Sequence, residues 1–135
     1  MTLIDKTKTF YEGDFADVTV TVPANTTLNE GCVLGRNKDK ELVAFTTDNN
    51  VEGVAADGDT PAVEAFNTEP IYILAETLPN TTAAKATFKA RVLDGGVINE
   101  DKIIFAKAAD KNDVLVQDQL RKNGFKLVKV QNLAE

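Results

Sequence analysis

The feature that most constrains the fold is an uninterrupted apolar run, Ile71-Tyr72-Ile73-Leu74, near the middle of the chain. A strand with one wet face alternates apolar and polar residues, whereas a strand covered on both faces is apolar throughout. The run therefore predicts a central strand with one face on the core of the domain. We expect its other face to be covered by more of the same domain or by a neighbouring subunit.

The length of the chain fits one globular domain. Its 135 residues, of which 43% are hydrophobic, can bury a core without disulfide bonds or bound metal. The first ten residues lack the long apolar core of a signal peptide, and no segment has the length of an apolar membrane helix. We therefore expect a protein made in a reducing cytoplasm and without a membrane partner.

The charge balance argues against nucleic acid as a partner. The chain has 15 basic and 21 acidic residues, and its net charge is −6. Binding to a phosphate backbone requires a basic patch, and no run rich in lysine and arginine stands out. We expect no nucleic-acid partner.

Missing residue types exclude most enzyme chemistry. The chain contains no histidine, serine or tryptophan, which removes Ser-His-Asp and Cys-His catalysis. The one cysteine, Cys32, cannot complete a zinc site, and its neighbours Val33 and Leu34 indicate a small buried residue. Neither a GxGxxG nor a P-loop motif occurs. We predict a protein that is not an enzyme and that uses no cofactor or metal.

Two weaker hypotheses depend on carboxylates. Paired acids can hydrolyse glycosidic bonds, but the aspartates here are scattered and mostly flank turns, where they accept local hydrogen bonds. The segment Asp57-Gly58-Asp59 offers oxygen ligands for calcium, yet it lacks the rest of an EF-hand loop. A solvated turn is the simpler interpretation of that segment.

The hydrophobic pattern predicts a mainly β (α+β) fold, barrel- or sandwich-like, with one short helix near its end. Valines alternate with threonines over Val18 to Val22, and a second alternation runs over Ala86 to Leu93. Asp94 to Gly96 is predicted to be a turn. Further strands are predicted by apolar segments at residues 31–35, 42–45, 71–74, 103–105 and 125–130.

The helix is predicted from its caps and its apolar spacing. Asp110 or Asn112 is expected to cap its first turn. Val116 and Leu120 are four residues apart and share a face. Gly124 is suited to the left-handed residue that ends a helix.

The N-terminal segment allows two interpretations. Residues 1–17 carry several apolar and aromatic side chains without a clean period, and Gly13 interrupts them. The segment is either a flexible arm that orders on a partner or a first strand packed on the core. We predict a flexible arm at 1–17, ahead of a β-rich domain at 18–135.

Five short motifs, taken in order, resemble the lambda-type head decoration (cement) proteins of tailed bacteriophages. The order and approximate spacing hold from Gly31 to Val130, which is most of the chain. The motifs are Gly31-Cys32-Val33-Leu34-Gly35, Gly53 to Ala56, Ile73 to Glu76, Ala90 to Asp101, and Gln119-Leu120 through Gly124-Phe125.

The resemblance implies a homotrimer on the outer surface of the virion. Proteins of this family bind at threefold sites of the expanded head and stabilise it against the pressure of packaged DNA. Their N-terminal arm orders by adding a strand to the major capsid protein, which is β-augmentation. By this resemblance the capsid-binding residues are Leu3, Ile4, Phe10, Tyr11 and Phe15. Phe66 and Tyr72 are candidates for the trimer interface.

Two other functions are compatible with the same residues. One is a different structural subunit of a virion, such as a tail or baseplate piece. The other is a surface-displayed binding module, although the absence of tryptophan and the presence of only two tyrosines disfavour stacking on sugars.

Overall fold

The computed structural model describes residues 8–129, and they form a β-rich domain with one α-helix near its C-terminal end. The strands are β1 Phe10–Val22, β2 Thr26–Leu28, β3 Val33–Arg36, β4 Leu42–Ala44, β5 Pro70–Leu74, β6 Leu78–Asn80, β7 Ala86–Asn99 and β8 Phe125–Val128. The helix, α1, spans Val114–Lys122, and short 3-10 helices span Thr47–Asn49, Glu100–Lys102 and Ala108–Asn112.

Six strands form one sheet in the order β1-β7-β5-β3-β4, with β8 added parallel to β7. The remaining pairs in this sheet are antiparallel, and β2 and β6 form a separate two-stranded sheet. The edge strands β1 and β4 approach each other, so the sheet is strongly curled. No hydrogen-bonded pairing joins them within residues 8–129, so this part of the chain forms no closed barrel.

Both faces of the sheet are covered, as the apolar run in β5 predicts. Ile73 and Leu74 are both fully buried, but they belong to two different cores on opposite faces. The first core lies inside the curl, and the second lies under α1 and the chain around Ile103. The second cover is therefore part of this domain, and no neighbouring subunit is needed to explain the run.

Consecutive residues within β3 and within β7 likewise belong to the two different cores. Leu34 and Val92 belong to the first core, and Val33 and Leu93 belong to the second. Successive side chains on a strand point to opposite faces, so a strand between two cores must be apolar at every position. The stretches that lie between the two cores are Val33-Leu34 in β3, Ile73-Leu74 in β5 and Val92-Leu93 in β7.

The turn predicted at Asp94 to Gly96 is wrong. β7 runs without interruption from Ala86 to Asn99, and it pairs with β1 along most of its length. Gly95 and Gly96 have φ values of 125° and 138°, which glycine adopts without steric cost. The pairing register with β1 shifts between Gly13 and Phe15, opposite these glycines. Such a β-bulge bends the strand in place of a turn.

The predicted helix is confirmed, although a different residue caps it. Val116 and Leu120 are buried, and Gly124 follows with a φ of 97°. The N-cap is Asp113, whose side chain accepts a hydrogen bond from the Leu115 amide at 2.9 Å.

Asp110 connects the helix region to a distant loop instead of capping α1. Its side chain is buried, and its two oxygens accept hydrogen bonds from the amide and the hydroxyl of Thr47 at 3.0 and 2.8 Å. A sequence pattern cannot reveal this contact, since its two residues are 63 positions apart.

Candidate functional site

The strand β1 lies at an edge of the main sheet, and its N-terminal part is more exposed than its buried end at Val20 to Val22. This 13-residue strand is an edge of the main sheet, and β7 is its pairing partner there. A long edge strand presents backbone donors and acceptors to any strand that approaches. The edge of β1 is therefore a candidate site for β-augmentation.

Aromatic and cationic side chains stand at the N-terminal half of this edge. Phe10 and Phe15 meet edge-to-face, with ring centroids 5.4 Å apart. The Arg91 guanidinium lies over the Phe15 ring, 3.9 Å from its centroid. Phe10 packs against the second core, whereas Phe15 remains 42% exposed. This arrangement holds Phe15 in place while leaving part of its ring for a partner.

The structure corrects part of the predicted flexible arm. Phe10, Tyr11 and Phe15 lie in β1, so the segment 10–17 is a paired strand. The chain is already fixed just before it, since the carbonyl oxygen of Thr9 accepts a hydrogen bond from the Asn99 amide at 2.9 Å. Leu3 and Ile4 lie outside the described residues.

The two residues predicted to lie at the trimer interface have different surroundings. Tyr72 is half-buried and packs against the first core, which gives it a structural part within one domain. Phe66 is half-buried at the base of a hairpin, where its backbone exchanges two hydrogen bonds with Val51.

That hairpin, residues 51–66, is called here the acidic hairpin. Its backbone exchanges hydrogen bonds at three pairs, Val51 with Phe66, Val54 with Val63, and Asp57 with Thr60. Every residue from 52 to 65 is exposed, so the hairpin projects from the domain. Its charged residues are Glu52, Asp57, Asp59 and Glu64, all of them acidic.

Sequence reasoning missed two parts of this surface. The stacking of Arg91 on Phe15 requires the β1–β7 register, which no local pattern gives. The acidic hairpin has a visible signal in the sequence, since residues 51–66 contain four acids and no base, but neither the calcium hypothesis nor the turn at Asp57-Gly58-Asp59 predicts a projecting hairpin. Asp57 and Thr60 do close a turn, because each donates its amide hydrogen to the carbonyl oxygen of the other.

Within residues 8–129, no three acidic, cysteine or histidine side chains cluster closely enough to hold a metal ion. The scattered acids of the sequence are therefore not brought together into a metal site in this part of the chain. Some of these carboxylates form ion pairs with basic side chains instead, such as Asp48 with Lys107 at 2.9 Å and Glu41 with Lys85 at 2.9 Å.

Cys32 is buried, at 4% exposure, and lies in the first core. Burial raises the pKa of the Cys32 thiol from 9.0 to about 11, since the thiolate is poorly solvated there. The thiol is therefore neutral and inert at physiological pH.

The Cys32 pKa predicts how stability changes with pH. Below pH 9 the thiol is protonated in both the folded and the unfolded chain, so it contributes no pH dependence. Between about pH 9 and 11 the unfolded chain loses the proton first, so the free energy of unfolding falls by about 3 kcal/mol. Urea unfolding of the wild type and of Cys32→Ala across this range should show the extra fall in the wild type alone. Parallel curves would contradict the prediction.

No helix within residues 8–129 has the length and apolar character needed to cross a membrane. A scan against protein-family models found no match to the chain, and a search of curated proteins found none either.

Proposed function

We propose that this protein is a capsid decoration protein, which binds the outer surface of an expanded phage head and stabilises it against internal DNA pressure. The proposal begins from the ordered motifs that resemble the lambda-type decoration proteins. The β-rich domain with one helix near its C-terminal end is compatible with that resemblance.

The observation that carries the proposal is the edge position of β1. The chain enters this strand at Phe10, and three of the five residues that the resemblance assigns to capsid binding, Phe10, Tyr11 and Phe15, lie in it. A strand of the major capsid protein that pairs with this edge would gain a row of backbone hydrogen bonds. The half-exposed Phe15, held under Arg91, would supply an apolar contact beside them.

Self-association as a trimer would strengthen the attachment. Ordering a single N-terminal segment on the shell costs conformational entropy, so one contact binds weakly. Three linked contacts share a high effective concentration, and modest affinities then combine into tight binding. The partners in this proposal are therefore the major capsid protein and two further copies of this chain.

Binding to empty capsids tests the proposal. We expect the full chain to sediment with expanded shells and not with unexpanded ones. Deleting residues 2–7 leaves β1 complete and should weaken binding at least about tenfold, without changing thermal stability. Phe15→Ala should weaken binding by a smaller factor, because its ring is only part of the contact.

A matched truncation at the other end serves as the control. Deleting residues 131–135 removes a segment of similar length and should leave shell binding unchanged. Equal binding to both shell forms, or no binding to either, would contradict the proposal. A stable ring of six copies in solution would instead favour a tail component.

A further inference from the structure

We infer that the acidic hairpin of one copy docks on a basic segment, residues 121–129, of the next copy. The inference rests on the self-association in the proposed function and names the surfaces that would produce it. The basic segment comprises the last turn of α1, the following turn and β8.

Within one copy, few contacts stabilise the acidic hairpin. Its hydrogen-bonded pairs recur at every third residue, whereas a regular antiparallel ladder bonds at every second one. Val54 and Val63 face each other across the hairpin, yet they are 53% and 45% exposed. An isolated two-stranded hairpin is at best marginally stable in water. A second surface that covers the two valines would stabilise it.

The charges of the two surfaces are complementary. The acidic hairpin has four acidic residues and no basic one. The basic segment has four basic residues and no acidic one, and they are Arg121, Lys122, Lys126 and Lys129. All four are exposed, so they are accessible to a neighbouring molecule. Within residues 8–129, two of them form surface ion pairs, Arg121 with Asp118 and Lys122 with Glu69, which contribute little to stability.

The basic segment also offers apolar and backbone contacts. Leu127 packs against the second core, and its neighbour Val128, which is half-buried and points to the other face of β8, would meet the exposed valines of the hairpin. β8 pairs with β7 on one side and lies at the margin of the sheet. A hairpin laid beside β8 would thus bury apolar surface at its centre, with opposite charges around it.

Within one copy, the basic segment begins close to the base of the acidic hairpin. The Asn123 side chain donates a hydrogen bond to the Pro70 carbonyl oxygen at 2.8 Å, so the basic segment begins beside the chain that leaves the hairpin. Within the same copy, however, the hairpin residues 52–65 stay exposed. Two copies could exchange such a contact reciprocally about a twofold axis, whereas three copies form the smallest head-to-tail ring, in which each copy docks on one neighbour and receives the other.

Two variants that each lack one surface test the inference. In the first, Asn-Gly replaces residues 52–65, which closes the hairpin with a short turn. The second carries Lys122→Glu, Lys126→Glu and Lys129→Glu. We expect the wild type to be oligomeric by sedimentation velocity and each variant alone to be monomeric. An equimolar mixture of the two should form a dimer, because it contains one intact pair of surfaces.

Salt and a single charge reversal outside both surfaces complete the experiment. Raising NaCl from about 0.05 to about 0.5 M should weaken the wild-type association, since exposed charges are screened. Lys89→Glu, which changes one exposed lysine on β7, should leave the wild-type oligomer intact. Circular dichroism checks that every variant is folded.

Several results would overturn the inference. They are a monomeric wild type, an oligomeric hairpin variant, or a mixture of folded variants that stays monomeric. Because no capsid is present, these outcomes are distinguishable from a failure of the proposed function. Oligomers that form as expected but never bind shells would instead reject the capsid role and leave the docking surfaces standing.

Discussion

Replacing Gly96 by alanine is expected to lower the free energy of unfolding by about 3 to 5 kcal/mol, since two separate costs fall on one position. Gly96 has a φ of 138°, a conformation in which a β-carbon is strained. The added methyl group would also meet the Glu12 carbonyl oxygen and the Gly13 α-carbon closer than real β-carbons approach other atoms. Both obstacles are backbone atoms of β1, so neither can move aside without disturbing the strand pairing.

The position of Gly96 explains why the effect should be large. Its strand, β7, lies here between β1 and β8, with Gly96 opposite Gly13 on one side and Phe125 on the other. The Gly96 amide also donates a hydrogen bond to the Gly124 carbonyl oxygen at 3.1 Å. Displacing β1 at this point would therefore disturb the pairing on both sides of β7.

Gly58→Ala is the matched control for Gly96→Ala. Gly58 also has a positive φ, 56°, but an added β-carbon there meets no atom within 4 Å. This variant should lose only the conformational part, about 1 kcal/mol. Urea unfolding of both variants measures the difference. Equal losses would show that the close approach to Glu12 and Gly13 contributes nothing.

Replacing Asn80 by aspartate is expected to cost about 3 kcal/mol or more at pH 7, although the two side chains have the same shape. Asn80 is 2% exposed. Its amide nitrogen donates to the carbonyl oxygens of Val22, Pro23 and Ala84, at 3.0 to 3.1 Å. A carboxylate at this position would place a negative charge against three acceptors. The variant therefore loses donors and gains repulsion.

The effect of Asn80→Asp should depend on pH. Burial and the three carbonyl oxygens disfavour the charged carboxylate, so the folded state should raise the pKa of the introduced group. A raised pKa in the folded state makes the loss of stability largest above that pKa, and the loss shrinks as pH falls and the group binds a proton. Thermal unfolding at pH 7 and pH 4 tests this.

The exposed Asn67 provides the matched control for Asn80→Asp. Asn67→Asp makes the same chemical change at a surface position and should alter stability by less than about 0.5 kcal/mol at either pH. A pH-independent loss in Asn80→Asp would mean that packing, and not charge, causes the destabilisation.

Asn80 connects the two-stranded sheet to the end of β1, so its hydrogen bonds fix how the small sheet sits beside the large one.

The sequence by itself determined the features that depend on neighbouring residues. The apolar run at Ile71 to Leu74 indicated a strand covered on both faces, because alternating side-chain direction leaves no other reason for four apolar residues in a row. The spacing of Val116 and Leu120, with Gly124 after them, located the helix. Both features are encoded within a few residues, so a local pattern is enough to read them.

Only the tertiary structure decided what depends on residues far apart in the chain. The turn predicted at Asp94 to Gly96 became a bent strand because β1 and β8 supply its hydrogen bonds from either side. The arm predicted at 1–17 is shortened for the same reason, since β7 pairs with residues 10–17. Strand pairing joins segments that are far apart in the chain, and a local sequence pattern carries no information about which segments pair. The edge position of β1 and the projecting acidic hairpin are therefore visible only in the assembled sheet.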